Sequence, residues 1–154
     1  MDKMTETLGH LFTSLTGQET AEIKELTSSG SNRRYYRITG TDGRTLIGVD
    51  GLDADENRAF CCLARHFRSK GINVPEVLAV SEDWMCYLQE DLGDESLYGM
   101  ISSGREAGEY SGQEKSLLLR TMSLLPALQF RGAEGLDFSV CFPEPAFSGR
   151  MVMF

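Results

Sequence analysis

The residues between Thr27 and Gly51 have the types and spacing of a phosphate-binding segment. Their sequence, TSSGSNRRYYRITGTDGRTLIGVDG, predicts a glycine-containing loop between two strands, then a tight turn and a third strand. Small and turn-forming residues let backbone N–H groups approach a ligand, and such loops often cover the phosphates of a nucleotide. A plain hairpin loop is the alternative. The loop residues are Ser28, Ser29, Gly30, Ser31 and Asn32.

An acid ends the third predicted strand, which runs from Thr45 to about Asp50. A lysine on this strand usually meets the phosphates. Asp50 would repel them, because two unit charges about 4 Å apart cost on the order of 4 kcal/mol at an effective dielectric of about 20. Asp50 must therefore face elsewhere, meet a cation or contact another part of the ligand, and positive charge must come from another residue.

Two arginines directly after the loop, Arg33 and Arg34, are the nearest source of that charge. A guanidinium group binds phosphate through two parallel hydrogen bonds. Alternation along the second strand places Arg34 on the side of Ile38 and Arg33 on the opposite side. The alternative is a basic loop that is only solvated.

The rest of the pattern alternates between helices and strands. Apolar residues at helical spacing predict a helix over residues 4–15, and Asp42-Gly43 predicts a hairpin turn. A second helix begins where Asp53 and Glu56 have the spacing of a capping box, and Gly71 ends it. The predicted strands span residues 23–27, 35–39, 45–50, 77–81 and about 85–90.

After the last strand the pattern becomes helical again. A helix begins near Ser96, and a long helix is predicted over residues 113–130, where Pro126 should kink or shorten it. This order of elements predicts an α+β fold, in which a helix covers one face of a five-stranded antiparallel sheet.

The order and spacing of several motifs resemble the aminoglycoside phosphotransferase and choline kinase family. GSNRRYYRI is similar to that family's G-x-x-N-x-x-Y-x-V pattern, and VPEVLAV followed by CYLQEDLG is similar to the strands and hinge that meet the adenine. RRYYR, GVDG and EDLG look most like the kinases of the anomeric hydroxyl of N-acetylmuramate or N-acetylglucosamine. The match covers residues 23–93. It implies a protein-kinase-like N-terminal lobe over residues 1–93, followed over residues 94–154 by helices from the truncated start of a second lobe.

The resemblance implies that the protein uses ATP and Mg²⁺ and phosphorylates a small sugar. Gly48 would then lie against the adenine and Ile38 would cap it, so Arg34, on the face of Ile38, is favoured over Arg33 as the phosphate ligand. Asp50 stands at the lysine position, as it does in the anomeric sugar kinases. The hinge over residues 87–91 would offer backbone groups to the adenine. The implied binding residues are Ser29, Gly30, Ser31, Asn32, Arg33, Arg34, Ile38, Gly48, Asp50, Gln89 and Glu90.

The family's catalytic loop has no counterpart in this sequence. Neither His10 nor His66 begins an H-x-D pattern, and LDFS at residues 136–139 lacks the glycine of the family's later metal motif. We therefore expect no catalytic residue and no metal ligand in this chain, and no phosphate transfer by the chain alone. In kinases a helix glutamate pairs with the strand lysine, but for Glu56 we favour the capping role, with a salt bridge to Arg34 as the alternative. A non-catalytic interaction module is the alternative function.

The net charge and the composition limit the classes of partner that the protein can bind. The net charge of −8 makes nucleic acid and anionic membrane surfaces unsuitable. The sequence shows no signal-peptide pattern, no apolar run of bilayer length and no C-x-x-C among its four cysteines. We expect a cytoplasmic protein with reduced thiols. The apolar tail from Phe138 onwards predicts self-association, with packing on the long helix as the alternative.

Overall fold

The computed structural model describes residues 3–27 and 32–146. The chain divides into two compact units, of which the first contains the residues up to Asp91 and those from Asp137, and the second spans Leu92–Leu136. All five strands lie in the first unit and pair antiparallel. The predicted α+β class with a five-stranded antiparallel sheet is therefore confirmed. The assignment of residues 1–93 and 94–154 to two lobes stays a prediction.

The elements of the first unit lie close to their predicted positions. A short 3-10 helix, Phe138–Val140, follows the second unit; it contacts helix Ala54–Ser69, and the rest of the predicted apolar tail from residue 147 lies outside the described residues. The helices and strands are α1 (Lys3–Thr16), β1 (Thr20–Leu26), β2 (Arg34–Gly40), β3 (Thr45–Asp50), α2 (Ala54–Ser69), β4 (Val77–Val80) and β5 (Cys86–Glu90).

The order of strands in the sheet is β1-β2-β3-β5-β4. The first three strands form a meander, and Gly43 turns the β2–β3 hairpin with a φ of 82°. β4 and β5 form a second hairpin, but β5 and not β4 pairs with β3. β3 and β4 consequently run parallel with one strand between them, a connection that needs a crossover such as α2.

Helix α1 covers one face of the sheet. Its Leu8 and Phe12 are fully buried. They pack on side chains of β2, β3 and β5, which include Tyr36, Ile38 and Leu88. The spacing of four between Leu8 and Phe12 places both on the same side of the helix, as the apolar pattern predicts.

Helix α2 covers the opposite face, so the sheet carries a helix on each side and the expectation of one covered face is corrected. Cys61 of α2 is buried with Ile47, Val49 and Tyr87, and Phe60 stacks on Tyr87 with ring centroids 5.2 Å apart. Both faces are apolar because each helix presents an apolar stripe that must be buried. We call the two sides of the sheet the α1 face and the α2 face.

The second unit consists of helices. A short helix, which the sequence pattern did not indicate, lies before the long one, and Gly108 ends it with a φ of 74°. Pro126 is the last residue of the long helix and a π-helical turn follows it, which agrees with the predicted disturbance there. None of the described helices in either unit is both long and apolar enough to cross a bilayer. The helices are α3 (Leu97–Met100), α4 (Ser102–Ala107) and α5 (Gly112–Pro126).

Glu114 ties α4 to the start of α5. Its carboxylate accepts hydrogen bonds from the Gly104 N–H at 2.7 Å and from the Ser111 hydroxyl and N–H at 2.7 and 2.8 Å. The Ser111 hydroxyl in turn accepts from the Glu114 N–H, which completes a capping box. The hydrogen bonds from Ser111, and then that from Gly104, lower the pKa of Glu114 below its usual value of 4.5.

We expect Glu114→Gln to destabilise the second unit at neutral pH and to change little in acid. Because the folded pKa lies below the unfolded one, the carboxylate's contribution is complete above the unfolded pKa and is lost as the pH falls through the folded pKa. Urea unfolding between about pH 7 and about pH 3 measures this, with Glu109→Gln, an exposed carboxylate of the same unit, as control. If Glu114→Gln lowers the free energy of unfolding by the same amount at every pH, the prediction is contradicted.

Candidate functional site

Arg33 lies at the start of β2 on the α2 face, next to the predicted phosphate loop. Its guanidinium Nη2 is 2.9 Å from Oε1 of Glu56 in the first turn of α2. The guanidinium carbon lies 5.3 Å from the centre of the Phe60 ring. Only 12% of the Arg33 side chain is exposed. Helix α2 therefore holds a cation at a fixed position directly after the loop.

Glu56 acts differently from the role that we favoured. Asp53 caps α2 as predicted, since its side chain accepts from the N–H groups of Asp55 and Glu56. The carboxylate of Glu56, however, forms the ion pair with Arg33 instead of closing a capping box. Glu56 therefore forms a salt bridge to an arginine, as the alternative expected, but the arginine is Arg33 and not Arg34.

Arg34 lies on the α1 face and pairs with Glu25 of β1. Its Nε and Nη2 donate to the two carboxylate oxygens at 2.9 and 3.0 Å. About half of each side chain is exposed. Alternation along β2 places Arg34 on the side away from Arg33 and Glu56, and its favoured assignment as phosphate ligand stays a prediction.

Ile38 and Gly48 lie together, as alternation predicts, but under α1. Ile38 is fully buried. A Cβ added to Gly48 would lie 2.9 Å from Cδ1 of Ile38 and 3.0 Å from Cδ2 of Leu8. The space that we assigned to adenine is thus filled by the α1 side chain, so a purine cannot contact these two residues while α1 is in place.

Asp50 faces the α1 side of the sheet. Its partners in register are Arg34 of β2 and Cys86 of β5. Burial raises the pKa of the Cys86 thiol, and the negative charge of Asp50 adds to that rise. Asp50 therefore lies on the opposite side of the sheet from the cation at Arg33, and its role stays a prediction.

The predicted hinge contains both candidate residues at the end of β5. Gln89 is opposite Ile47 in register and so lies on the α2 face. Its Oε1 is buried and has no hydrogen-bond partner within the described part of the chain. Glu90 is exposed at the edge, where its N–H donates to Glu76 O at 2.9 Å and its carboxylate lies 3.7 Å from Arg68.

Of the predicted phosphate loop, residues 28–32, only Asn32 lies within the described residues. Ser29, Gly30 and Ser31 lie outside the described residues, and Asn32 is exposed at the edge of that gap. The structure thus brings Arg33 and Gln89 to the α2 face and places Arg34, Ile38, Gly48 and Asp50 on the α1 face.

Sequence reasoning assigned no role to Arg37, a second arginine on the α2 face. Arg37 donates from Nε and Nη2 to Asp91 at 2.7 and 3.0 Å. The alternation of Arg33, Tyr35 and Arg37 was a signal that they share a face, but nothing in the local pattern indicated a partner beyond the end of β5.

The described residues show no site for a metal and no disulfide. No group of three or more His, Cys, Asp or Glu side chains within residues 3–27 and 32–146 could hold a metal ion. The four cysteines are free thiols. Burial raises the pKa of Cys61 and of Cys86, which makes both thiols poor nucleophiles.

Comparison with known proteins shows similarity to solved structures and to no protein family. No family model matches the sequence, and no curated protein is significantly similar to it. Among solved structures, the chain is similar to a protein of Thermobifida fusca described as a candidate fructosamine-3-kinase, with 24% identity and a TM-score of 0.41. The match covers 58% of this chain and 32% of that one, so it spans about a third of the length of that protein.

Proposed function

We propose that the first unit is the nucleotide-binding part of an ATP-dependent phosphotransferase that acts on a small molecule of the amino-sugar class. The motifs of the sequence support the class of reaction, and the α2 face supports the position of the site. On this proposal the phosphates lie between the loop over residues 28–32 and the guanidinium of Arg33.

The ion pair between Arg33 and Glu56 is the observation that carries this proposal. Phosphoryl transfer needs cations fixed near the phosphates more than it needs covalent chemistry from the protein. In kinases a strand lysine is held there by a glutamate of the following helix. Here the strand residue, Asp50, faces the other side, and the helix glutamate holds Arg33 at 2.9 Å instead.

The buried amide oxygen of Gln89 supports the placement of a nucleobase on the α2 face. An acceptor that is buried without a partner is unfavourable, and a ligand N–H would remove that cost. The amino group of adenine is such a donor. Because Gln89 follows Tyr87 by two residues on β5, both side chains lie on the α2 face, where Arg33 also lies.

On this proposal Mg²⁺ binds as part of the Mg·ATP complex. The described residues contain no cluster of metal ligands. On this proposal the unit supplies binding and charge neutralisation for the nucleotide.

Titration of the purified chain with Mg·ATP, ADP and adenosine tests the proposal. We expect Arg33→Met to weaken binding of ATP and ADP by about tenfold or more, since a charge-assisted hydrogen bond contributes about 1.5–3 kcal/mol. Binding of adenosine should change little. Arg34→Met is the matched control, because it removes a neighbouring arginine from the opposite face.

Two results would contradict the proposal. If the wild-type chain binds none of the three ligands, nucleotide binding is wrong, and the non-catalytic interaction module becomes the better interpretation. If Arg33→Met and Arg34→Met weaken ATP equally, the site does not lie on the α2 face. Circular dichroism of each variant ensures that the comparison is made between folded proteins.

A further inference from the structure

A buried ion pair joins the end of β5 to β2. Arg37 Nε donates to Asp91 Oδ2 at 2.7 Å and its Nη2 donates to Oδ1 at 3.0 Å. The exposed fractions of the two side chains are 21% and 6%. Two parallel hydrogen bonds fix the direction of the carboxylate as well as its distance.

The pair crosses the middle of the sheet. Arg37 of β2 is opposite Ile47 of β3, which is in turn opposite Gln89 of β5. Asp91, two residues after Gln89, is the first residue beyond the strand. Arg37 therefore reaches across β3 and binds the chain at the point where it leaves the sheet.

A second ion pair in the same sheet, between Arg34 and Glu25, allows the effect of burial on the strength of such a pair to be compared. Arg34 and Glu25 have nearly the same bidentate geometry, at 2.9 and 3.0 Å. Their side chains are 47% and 51% exposed, and exposed ion pairs of this kind contribute little because water competes for both groups. The charges of Arg37 and Asp91 are shielded from water, so removing one leaves the other at a large cost.

Directly after Asp91 the chain leaves the first unit and becomes exposed. The second unit begins at Leu92. Leu92, Asp94 and Glu95 are exposed, and Gly93 has a φ of 83°, a left-handed conformation that favours glycine.

We propose that Arg37 and Asp91 form a positioning pair that holds the exit of β5 against the sheet and so fixes the chain up to Asp91. This inference is independent of the proposed nucleotide site, since it concerns the chain without any ligand. It also assigns a role to the side chains of Arg37 in GSNRRYYRI and of Asp91 in EDLG, which the sequence motifs left without one.

Hydrogen exchange of the ligand-free chain tests this pair. In Asp91→Asn, which keeps the side-chain volume, and in Arg37→Met, the amides of Gln89 and Glu90 at the end of β5 should exchange faster by about tenfold or more, while those of α2 keep their wild-type rates. Arg34→Met is the control, with wild-type exchange at the end of β5. Should Arg37→Met fail to fold, Asp91→Asn alone decides.

Two outcomes would overturn the inference. Unchanged exchange of Gln89 and Glu90 in a folded Asp91→Asn variant would show that the pair does not hold the exit. An increase that is uniform over α2 and all strands would show that the pair stabilises the unit as a whole and has no positioning role. Neither outcome depends on whether the chain binds a nucleotide.

Discussion

Phe12→Ala is expected to lower the free energy of unfolding of the first unit by about 3–5 kcal/mol, the usual cost of removing a buried aromatic side chain. Phe12 is fully buried at the centre of the α1 face. Its ring also packs close to β2, where a Cβ added to Gly40 would lie 3.0 Å from Cζ. A backbone this near cannot move into the cavity without disturbing the sheet, so little of the loss should be recovered by relaxation.

Urea unfolding followed by circular dichroism measures the effect, and Leu15→Ala provides the matched control. Leu15 lies on the same helix, but 42% of it is exposed, so its loss should cost less than about 1 kcal/mol. Equal losses for the two variants would show that α1 does not pack on the sheet through Phe12. That result would reopen the α1 face as a place for a ligand.

Gly51→Ala is expected to destabilise the first unit by about 1–3 kcal/mol through overpacking. Gly51 follows β3 and is buried. An added Cβ would overlap the carboxamide of Asn57, whose Cγ would be 2.6 Å away. Asn57 cannot give way easily, because it is itself fully buried and its Nδ2 donates to Trp84 O at 2.8 Å. Close packing against Asn57 thus explains the second glycine of GVDG, Gly51.

A double-mutant cycle separates this packing conflict from a general effect on the strand. Asn57→Ala alone should also destabilise, because it leaves the buried carbonyl of Trp84 without that donor. The two losses should be clearly less than additive, since Asn57→Ala makes room for the new methyl group. Additive losses would mean that the Gly51 substitution acts through the backbone instead of through Asn57.

The amino-acid sequence determined the elements and the faces that residues share. Strand β3 has its predicted bounds, residues 45–50, and α2 begins after its predicted cap, Asp53. Alternation correctly placed Arg33 and Arg34 on opposite sides of the sheet. Periodicity and capping are local properties, since they depend on residues a few positions apart, and for that reason one sequence suffices to read them.

Only the tertiary structure decided what each face meets. Periodicity predicted that α1 has a buried side, yet it could not say that this side packs on Gly48 and Ile38. The same limit applies to the choice between Arg33 and Arg34, because their partners Glu56 and Glu25 lie on different elements. It applies most strongly to Arg37 and Asp91, which are 54 residues apart. Contacts of this kind depend on the order of strands and on which helix covers which side of the sheet, and both are set by the burial of apolar surface over the whole unit.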